Sequence, residues 1–414
     1  MMILFTAACL MAVSAVTAYG GESCTVCHRV SVLGVHGKLP CLACHLDETK
    51  TLARPGAATG GARGCTGCHR GYAALFSHAM ATRARERQFV ARTFGTADSH
   101  FFEKNCNSCH LQDCLDCHGE SGHRIGTATD DSCLDCHKGY YVGSDYRGMA
   151  PREDNMRYQR GAAANGETFL KMLPDVHFEA GLQCRDCHSM QSLIAGRKAA
   201  KNCRDCHLVD GDVIEHRIAA HMNKLECYAC HSAWGAQEYG TFYLRFTDSP
   251  SRDDYDLRGD NREYVKSAYL KRQDAPPLGI NSSGRVSPIR PEFIAFFTAI
   301  DHDRPVGTEN RLLAAEWRAF FPHTVRRGTV MCEGCHDNPR RFILERPEER
   351  LYELRKDGLT LSSFWDRNGQ RVVNGGFLPL ERYKTMTKKS PAYYKAYVEK
   401  WKALVNRADI SSPR

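Results

Sequence analysis

Apolar and polar positions follow no single long period along this chain; short apolar runs are separated by Gly, Pro and charged stretches. Residues 1–20 carry no charge and run apolar from Ile3 to Val16, closing on Ala18-Tyr19-Gly20. That pattern predicts a secretory signal peptide cut near Ala18 or Gly20, although the usual basic start is missing. Residues 75–93, with Leu75, Phe76, Phe89 and Val90 set among Arg and Glu, predict a helix. Residues 140–170, rich in Tyr, Arg, Gly and Asn, predict a long surface excursion. Farther on, 241–246 and 293–300 read as strands, and Thr308–Phe321 as an amphipathic helix stopped by Pro322. Trp365–Val372 reads as a hairpin around Asn368-Gly369. The chain closes with a helix from Pro391 to about Val405, capped by Ser390. No stretch after residue 20 has the length and apolarity of a membrane span.

Between these elements the chain is punctuated by cysteine. Cys106–His118 reads C-N-S-C-H-L-Q-D-C-L-D-C-H, two C-x-x-C-H units three residues apart. The unit recurs ten times. The first five are Cys24, Cys27 and His28; Cys41, Cys44 and His45; Cys65, Cys68 and His69; Cys106, Cys109 and His110; and Cys114, Cys117 and His118. The second five are Cys133, Cys136 and His137; Cys184, Cys187 and His188; Cys203, Cys206 and His207; Cys227, Cys230 and His231; and Cys332, Cys335 and His336. Only Cys9 of the 21 cysteines is left over. Random placement would give on the order of 0.05 such units. Disulfides would not demand a histidine after every second cysteine. Zinc sites pair C-x-x-C with a second C-x-x-C or a histidine pair and have no use for a repeated adjacent histidine. A thioredoxin-like C-x-x-C occurs once, on a βαβ pattern absent here. The spacing is that of covalent c-type haem attachment: two thioethers to the vinyl groups and the histidine as axial iron ligand. Ten haems c are therefore expected.

Haem explains the domain pattern too. Nine units crowd between Cys24 and His231, too little chain per unit for a conventional apolar core. We expect a haem-cored fold of loops and short α-helices over residues 21–231. Residues 232–414, with one unit, should form a small mixed α/β region. The joints of 24–69, such as Ala53-Arg54-Pro55-Gly56, read as loops. Export agrees with this chemistry, because c-type haem is attached outside the cytoplasmic membrane; a lipid anchor at Cys9 would leave an apolar tail after the lipid. The expected location is the periplasm, or the outer membrane or extracellular side beyond it.

Nine of the 19 histidines lie outside the units: His36, His78, His100, His123, His177, His216, His221, His302 and His323. Five of them precede a unit by five to nine residues: His36, His100, His177, His221 and His323. A histidine placed there can cap a neighbouring iron, and bis-histidine ligation keeps its potential low. The ordinary alternative is a surface or core histidine with no iron. Nine cannot cap ten irons, so one iron needs a Met (Met80, Met149, Met190 or Met222), an open position, or a histidine from a second subunit.

The formal charge of +8 would suggest a polyanion partner. Twenty propionates would bring the loaded protein near neutral, with arginines paired to them, and no basic run with interleaved aromatics suggests nucleic acid. Asp130/Asp131 and Asp253/Asp254 read as cap or turn residues. No Ser-His-Asp set, phosphate loop or dinucleotide fingerprint occurs.

The ten units with interspersed histidines resemble the multihaem c-type cytochromes of metal- and sulfur-respiring bacteria. Three segments carry a more specific likeness: Glu226-Cys227-Tyr228-Ala229-Cys230-His231-Ser232-Ala233-Trp234; Pro277–Asn281 with Gly284–Pro288; and Pro322-His323-Thr324-Val325-Arg326-Arg327 leading into Cys332–His336. They are similar to large respiratory cytochromes distantly akin to the octahaem tetrathionate reductase and hydroxylamine oxidoreductase type, over about residues 170–340. Where that type would place another C-Y-G-C-H, this chain has Glu238-Tyr239-Gly240-Thr241-Phe242, which resembles a lost haem site. No C-x-x-C-K occurs, which speaks against direct carry-over of the activities tied to a lysine-ligated haem. The resemblance implies an electron carrier between a quinol-oxidising or periplasmic donor and an outer-membrane or extracellular acceptor. The alternatives are a terminal reductase of a sulfur or nitrogen oxyanion, with Arg326 and Arg327 drawing the anion to an uncapped iron, and a subunit of a haem filament or outer-membrane conduit.

Overall fold

The computed structural model of the chain describes residues 36–39, 65–106, 111, 114–121, 124–137, 145–146, 160–164, 167–171, 175–196, 200–254, 263–328, 330–349, 367 and 369–411. The expected signal peptide lies outside them, as do the whole first unit (Cys24, Cys27 and His28), the whole second unit (Cys41, Cys44 and His45), and Cys109, His110 and His123. The chain forms two compact units: Met1–Phe89, Cys106–His137 and Gln183–Lys201 in the first; Val90–Asn105, Lys138–Leu182 and Asn202–Arg414 in the second. Among the described residues no helix is long and apolar enough to cross a membrane.

The first unit is built of one- and two-turn helices. Residues 75–93 do not form the single helix expected. A 3-10 stretch, Arg70–Ser77, stops at an extended His78; Ala79–Thr82 follows; Arg83 turns left-handed at φ 48°; and Ala84–Arg92 resumes the helix. The Ser77 hydroxyl donates to Ala74 O at 2.7 Å and the Thr82 hydroxyl to His78 O at 3.1 Å. Such side chains compete with the backbone for its own partners and break the run. Thr129 caps Asp130–Leu134 and Ser189 caps Met190–Ala195, so Asp130 and Asp131 stand in a helical first turn, where their charge suits the helix dipole.

The second unit is organised on a mixed sheet. Its main strands are β1 (Trp234–Thr247), β2 (Tyr264–Asp274), β3 (Leu278–Asn281), β4 (Val286–Asp301), β5 (Arg304–Ala319), β6 (Arg371–Val372) and β7 (Gly375–Gly376). The order is β6-β5-β4-β1-β2, with β3 bridging β4 and β7. β1 and β4 run parallel, Thr241 opposite Ala295, while β4 and β5 form a long antiparallel hairpin. The strands expected at 241–246 and 293–300 are the central pair.

Thr308–Phe321, expected as a helix, is mostly strand β5. Register shifts near Leu312 and between Glu316 and Trp317 break the period-two alternation, which is why the segment imitates a helical period. The aromatic β4 surface, with Phe296 and Phe297 buried, gives the apolar side chains a partner that no isolated helix has. Beside the expected turn, Gln370 N–H bonds Arg367 O at 3.2 Å and Gly369 stands at φ 71°, while Asn368 lies outside the described residues. β6 then pairs parallel with β5, and the other arm of the expected hairpin, Trp365 and Asp366, lies outside the described residues. Within 140–170, expected as a surface excursion, Asp145–Tyr146 and Arg160–Ala164 flank Glu167–Lys171 in a small antiparallel sheet. The closing helix starts at Pro391 under the Ser390 cap and runs to Ser411, past the expected end.

Three clusters hold this unit. Ile289, Ile294, Phe296, Trp317, Ala319, Ile343 and Val372 fill the sheet. Phe94 and Phe101 stack at 4.2 Å and meet Tyr243 edge-on at 4.9 Å, seating residues 90–105 on the sheet. Beneath them Asp98 accepts from Lys104 at 2.7 Å, Tyr264 OH at 2.8 Å and His100 N–H at 2.9 Å. The third cluster, Ala229, Leu278, Val286, Phe342, Leu378 and Tyr383, packs directly on Cys335. Each fully buried large side chain contributes about 1.5–3 kcal/mol of transfer free energy, so the last C-x-x-C-H unit rests on a core of its own.

Candidate functional site

Every C-x-x-C-H unit described in full folds the same way. The histidine N–H bonds the carbonyl of the first cysteine: His69 to Cys65 at 2.8 Å, His118 to Cys114 at 3.0 Å, His137 to Cys133 at 2.9 Å, His188 to Cys184 at 2.9 Å, His207 to Cys203 at 2.8 Å and His336 to Cys332 at 2.9 Å. Cys227–His231 is one helical turn as well. Positions i, i+3 and i+4 of a turn share a face, so both thiols and the imidazole project together. The spacing of the motif is thereby converted into one three-pronged surface.

The second thiol of each turn is set at differing depth. Cys68, Cys136 and Cys206 are exposed, Cys117 and Cys187 are half-buried, and Cys230 and Cys335 face the interior of the second unit. The attachment roles expected of Cys27 and Cys44, like that of Cys109, fall on residues outside the described set. Cys68, Cys117, Cys136, Cys187 and Cys206 do not gather with other donors into a protein-only metal site; among the described residues no three His, Cys, Asp or Glu side chains converge that way. A thiol at the solvent edge of a turn suits the attachment of a large group that the chain then wraps.

Among the described residues, four motif imidazoles stand beside a histidine from elsewhere in the chain. His36 and His69 have ring centres 6.2 Å apart, His177 and His207 6.0 Å, His216 and His231 6.1 Å, and His221 and His336 6.2 Å. Two imidazoles on opposite sides of one metal, each nitrogen about 2 Å from it and about 1.1 Å from its ring centre, stand about 6 Å apart. The four pairs have that separation. Paired rings, rather than clusters, are the recurring arrangement among the described residues.

Four histidine rings have Nδ1 beside an oxygen acceptor, whereas the buried Nδ1 atoms of His221 and His336 have no hydrogen-bond partner among the described residues. His216 Nδ1 lies 3.0 Å from Asp210 O and His231 Nδ1 3.0 Å from Arg326 O. His118 Nδ1 lies 3.1 Å from Gly126 O, and His177 Nδ1 2.8 Å from the buried Asp175 carboxylate. A carbonyl can only accept, so Nδ1 carries the proton and Nε2 the lone pair. In His216 and His231, whose ring centres are 6.1 Å apart, Nε2 is thus the nitrogen left to ligate. Burial pushes His221 below the usual imidazole range, with the His336 charge adding to the effect, and burial does the same to His336 and His188. Neutral rings are the ligating form. This donor set fits a covalently attached, bis-histidine haem iron.

The first thiols link units to one another. Cys133 and Cys184 are hydrogen-bonded, as are Cys203 and Cys227. The bond from Cys203 holds the Cys227 thiol down to about 6 while pushing Cys203 up. Burial pushes Cys230 up to about 12, with the nearby Cys335 adding to it, and raises Cys335. Arg341, buried, donates to Ala229 O at 2.8 Å and approaches Cys335 Sγ at 3.4 Å.

A rule emerges for the spare histidines. His36 precedes the second unit and faces the third; His177 precedes the seventh and faces the eighth; His221 precedes the ninth and faces the tenth. His216, outside the five-to-nine-residue spacing, faces the unit that follows it, His231. The remaining spare histidines among the described residues are placed differently. The His78 ring lies against Gly196. His100 opens the Phe101–Asn105 helix with its N–H on Asp98. His323, at φ 55°, packs edge-on against Phe321 at 4.6 Å. His302 and Asp303, both at positive φ, form the tight turn between β4 and β5, where the exposed His302 ring meets Asp301 at 3.1 Å.

Three residues of this surround carry no motif signal: Arg341, Asp175, and Tyr393, whose ring lies over His336 at 4.8 Å. Asp175 alone was within reach of sequence, as a residue two before a spare histidine and cap of the Val176–Glu179 turn. Arg326, expected to draw an anion, is clamped by Glu179 at 2.9 and 3.1 Å. Glu238–Phe242, the stretch likened to a lost haem site, runs through the middle of β1. No family model, no curated protein and no solved structure matches this chain.

Proposed function

We propose that the chain is a decahaem c-type cytochrome that carries electrons in anaerobic or extracellular respiration. The observation that carries the reading is the set of four opposed histidine pairs, each joining a motif histidine to a remote one at 6.0 to 6.2 Å. Each covalently held haem would supply one one-electron site. The chain's own residues do the rest. In each unit two cysteines would fix the porphyrin edge and the adjacent histidine would hold one face of the iron. His36, His177, His216 and His221 would close the opposite face and leave no position for a substrate there.

The Cys203–Cys227 bond and the Cys230–Cys335 proximity support close succession of the last three units. Partners are a quinol-oxidising or periplasmic donor and an outer-membrane or extracellular acceptor, met after export; a second copy or a membrane complex is the further class. The oxyanion-reductase reading gains nothing from Arg326, whose charge is already spent on Glu179. Optical and electron paramagnetic spectra of the purified protein test the proposal. Low-spin signals for nearly all haems with little carbon monoxide binding are expected. High-spin haem at several sites with ready carbon monoxide binding would overturn it in favour of a reductase.

A further inference from the structure

The last three units form a row. Cys203 and Cys227 touch, joining the eighth unit to the ninth, and Arg341 donates to Ala229 O at 2.8 Å and approaches Cys335 Sγ at 3.4 Å, joining the ninth to the tenth. Two charges are buried along this row without a counter-ion among the described residues, one toward each end. Asp175 is 5% exposed and accepts from Val325 N–H at 2.6 Å, from His177 N–H at 2.8 Å and from His177 Nδ1 at 2.8 Å. Among the described residues its charge meets no lysine or arginine. Arg341 is 4% exposed, and its partners are Ala229 O, Pro276 O and Cys335 Sγ, all uncharged acceptors. Other carboxylates near the row are matched: Glu215 by Lys400, Glu179 by Arg326, Glu226 by Arg285, and Asp337 by Lys389.

A carboxylate on the far nitrogen of an axial imidazole makes that ligand more basic and favours the oxidised metal. Of the axial rings held at Nδ1, His216, His231 and His118 face carbonyls and His177 faces a carboxylate. A buried cation does the reverse, favouring the reduced metal beside it, and low dielectric strengthens both effects. Resting on the haem reading above, we propose that Asp175 and Arg341 grade the row. The site at Cys203–His207, capped by His177, has the lowest potential of the three. The sites at Cys227–His231 and Cys332–His336, flanking Arg341, are higher, so a single electron placed on the row settles on the ninth or tenth unit and not on the eighth. Asp175 and Arg341 act as positioning residues for potential, through His177 and through the sulfur environment.

The test is a spectroelectrochemical titration of the holoprotein and of the variants Asp175→Asn and Arg341→Gln, each checked for ten attached haems by intact mass. Asp175→Asn keeps an acceptor for Nδ1 but removes the charge; one couple of the ten should move to higher potential, its reduced-to-oxidised ratio at fixed applied potential rising severalfold. Arg341→Gln should move one or two couples the other way. Ten haems with every couple unmoved in both variants overturns the proposal. If either variant fails to fold, near-infrared magnetic circular dichroism of the native protein decides. One axial-ligand charge-transfer band standing apart from the others supports a carboxylate-held His177, and coincident bands overturn it. A native protein without attached haem sinks the functional reading itself, a result distinct from unmoved couples.

Discussion

His221 and His336 face each other with ring centres 6.2 Å apart, although the five strands β1 to β5 lie between them in the chain. The sheet leaves the ninth unit at Trp234 and brings the chain back at Thr324, whose hydroxyl donates to Trp234 O at 2.5 Å. Ala233 N–H also bonds Thr324 O at 3.0 Å. This closure delivers Cys332–His336 to its partner, so the large sheet positions the site by returning the chain rather than by lining it.

Replacing His221 with alanine should leave ten haems attached but open one iron. One haem in ten should turn high-spin and bind carbon monoxide, read by electron paramagnetic resonance and optical titration. An unchanged low-spin spectrum would show that His221 caps nothing.

Phe342→Ala should act on the same pair from behind. Phe342 is 1% exposed in the cluster that packs on Cys335, and emptying such a site costs about 3–5 kcal/mol. Thermal melting of the second unit should drop while the eighth haem keeps its spectrum. A loss confined to haem content, with no change in melting, would contradict this assignment.

The Asp98 carboxyl makes stability depend on acid. Burial pushes it up, but hydrogen bonds from Lys104, Tyr264 and His100 N–H outweigh that and hold it at about 2. Its unfolded value is about 3.9. Its contribution is therefore complete above about pH 4 and lost as pH falls toward 2. Asp98→Asn should lower the melting temperature at pH 7 by the equivalent of about 1–3 kcal/mol. The gap from the native protein should close over that acid window; a gap independent of pH down to 2 would contradict the assignment.

Glu316 is buried in β5 between Arg371, at 2.8 Å, and Arg92. Glu316→Gln leaves two guanidinium groups without their carboxylate. Both arginines are partly solvated, so the cost should be about 1–3 kcal/mol, measured by denaturant unfolding. No loss would mean that the pair of arginines is indifferent to the charge.

Gly240 sits at a bulge of β1 with φ 152°, and an added Cβ would stand 2.6 Å from the Phe296 ring. Gly240→Ala should destabilise the sheet by about 1–3 kcal/mol. Melting equal to that of the native protein would show that Phe296 has room to move.

Much of the candidate site was legible because its chemistry repeats. The C-x-x-C-H spacing dictates a single turn, and Cys65–His69 and Cys332–His336 fold alike although Cys68 is exposed and Cys335 faces a core. The pairing His221–His336 was not legible, because the ring partner is set by how the sheet returns the chain. Sequence placed His221 near the ninth unit; tertiary closure handed it to the tenth. β5 carries a helix-like local pattern for a similar reason: its bulges near Leu312 and Trp317 are responses to β4, a partner invisible in the local pattern. The broken run at His78 and Arg83 turned on hydroxyl-to-backbone bonds of Ser77 and Thr82, which propensity alone does not rank.

Intact mass of the denatured protein, made in a host that attaches c-type haem, tests the central claim most directly. The account predicts a polypeptide carrying ten covalent porphyrins. A polypeptide of unmodified mass would contradict it, and so would one whose thiols are taken up in disulfides or zinc.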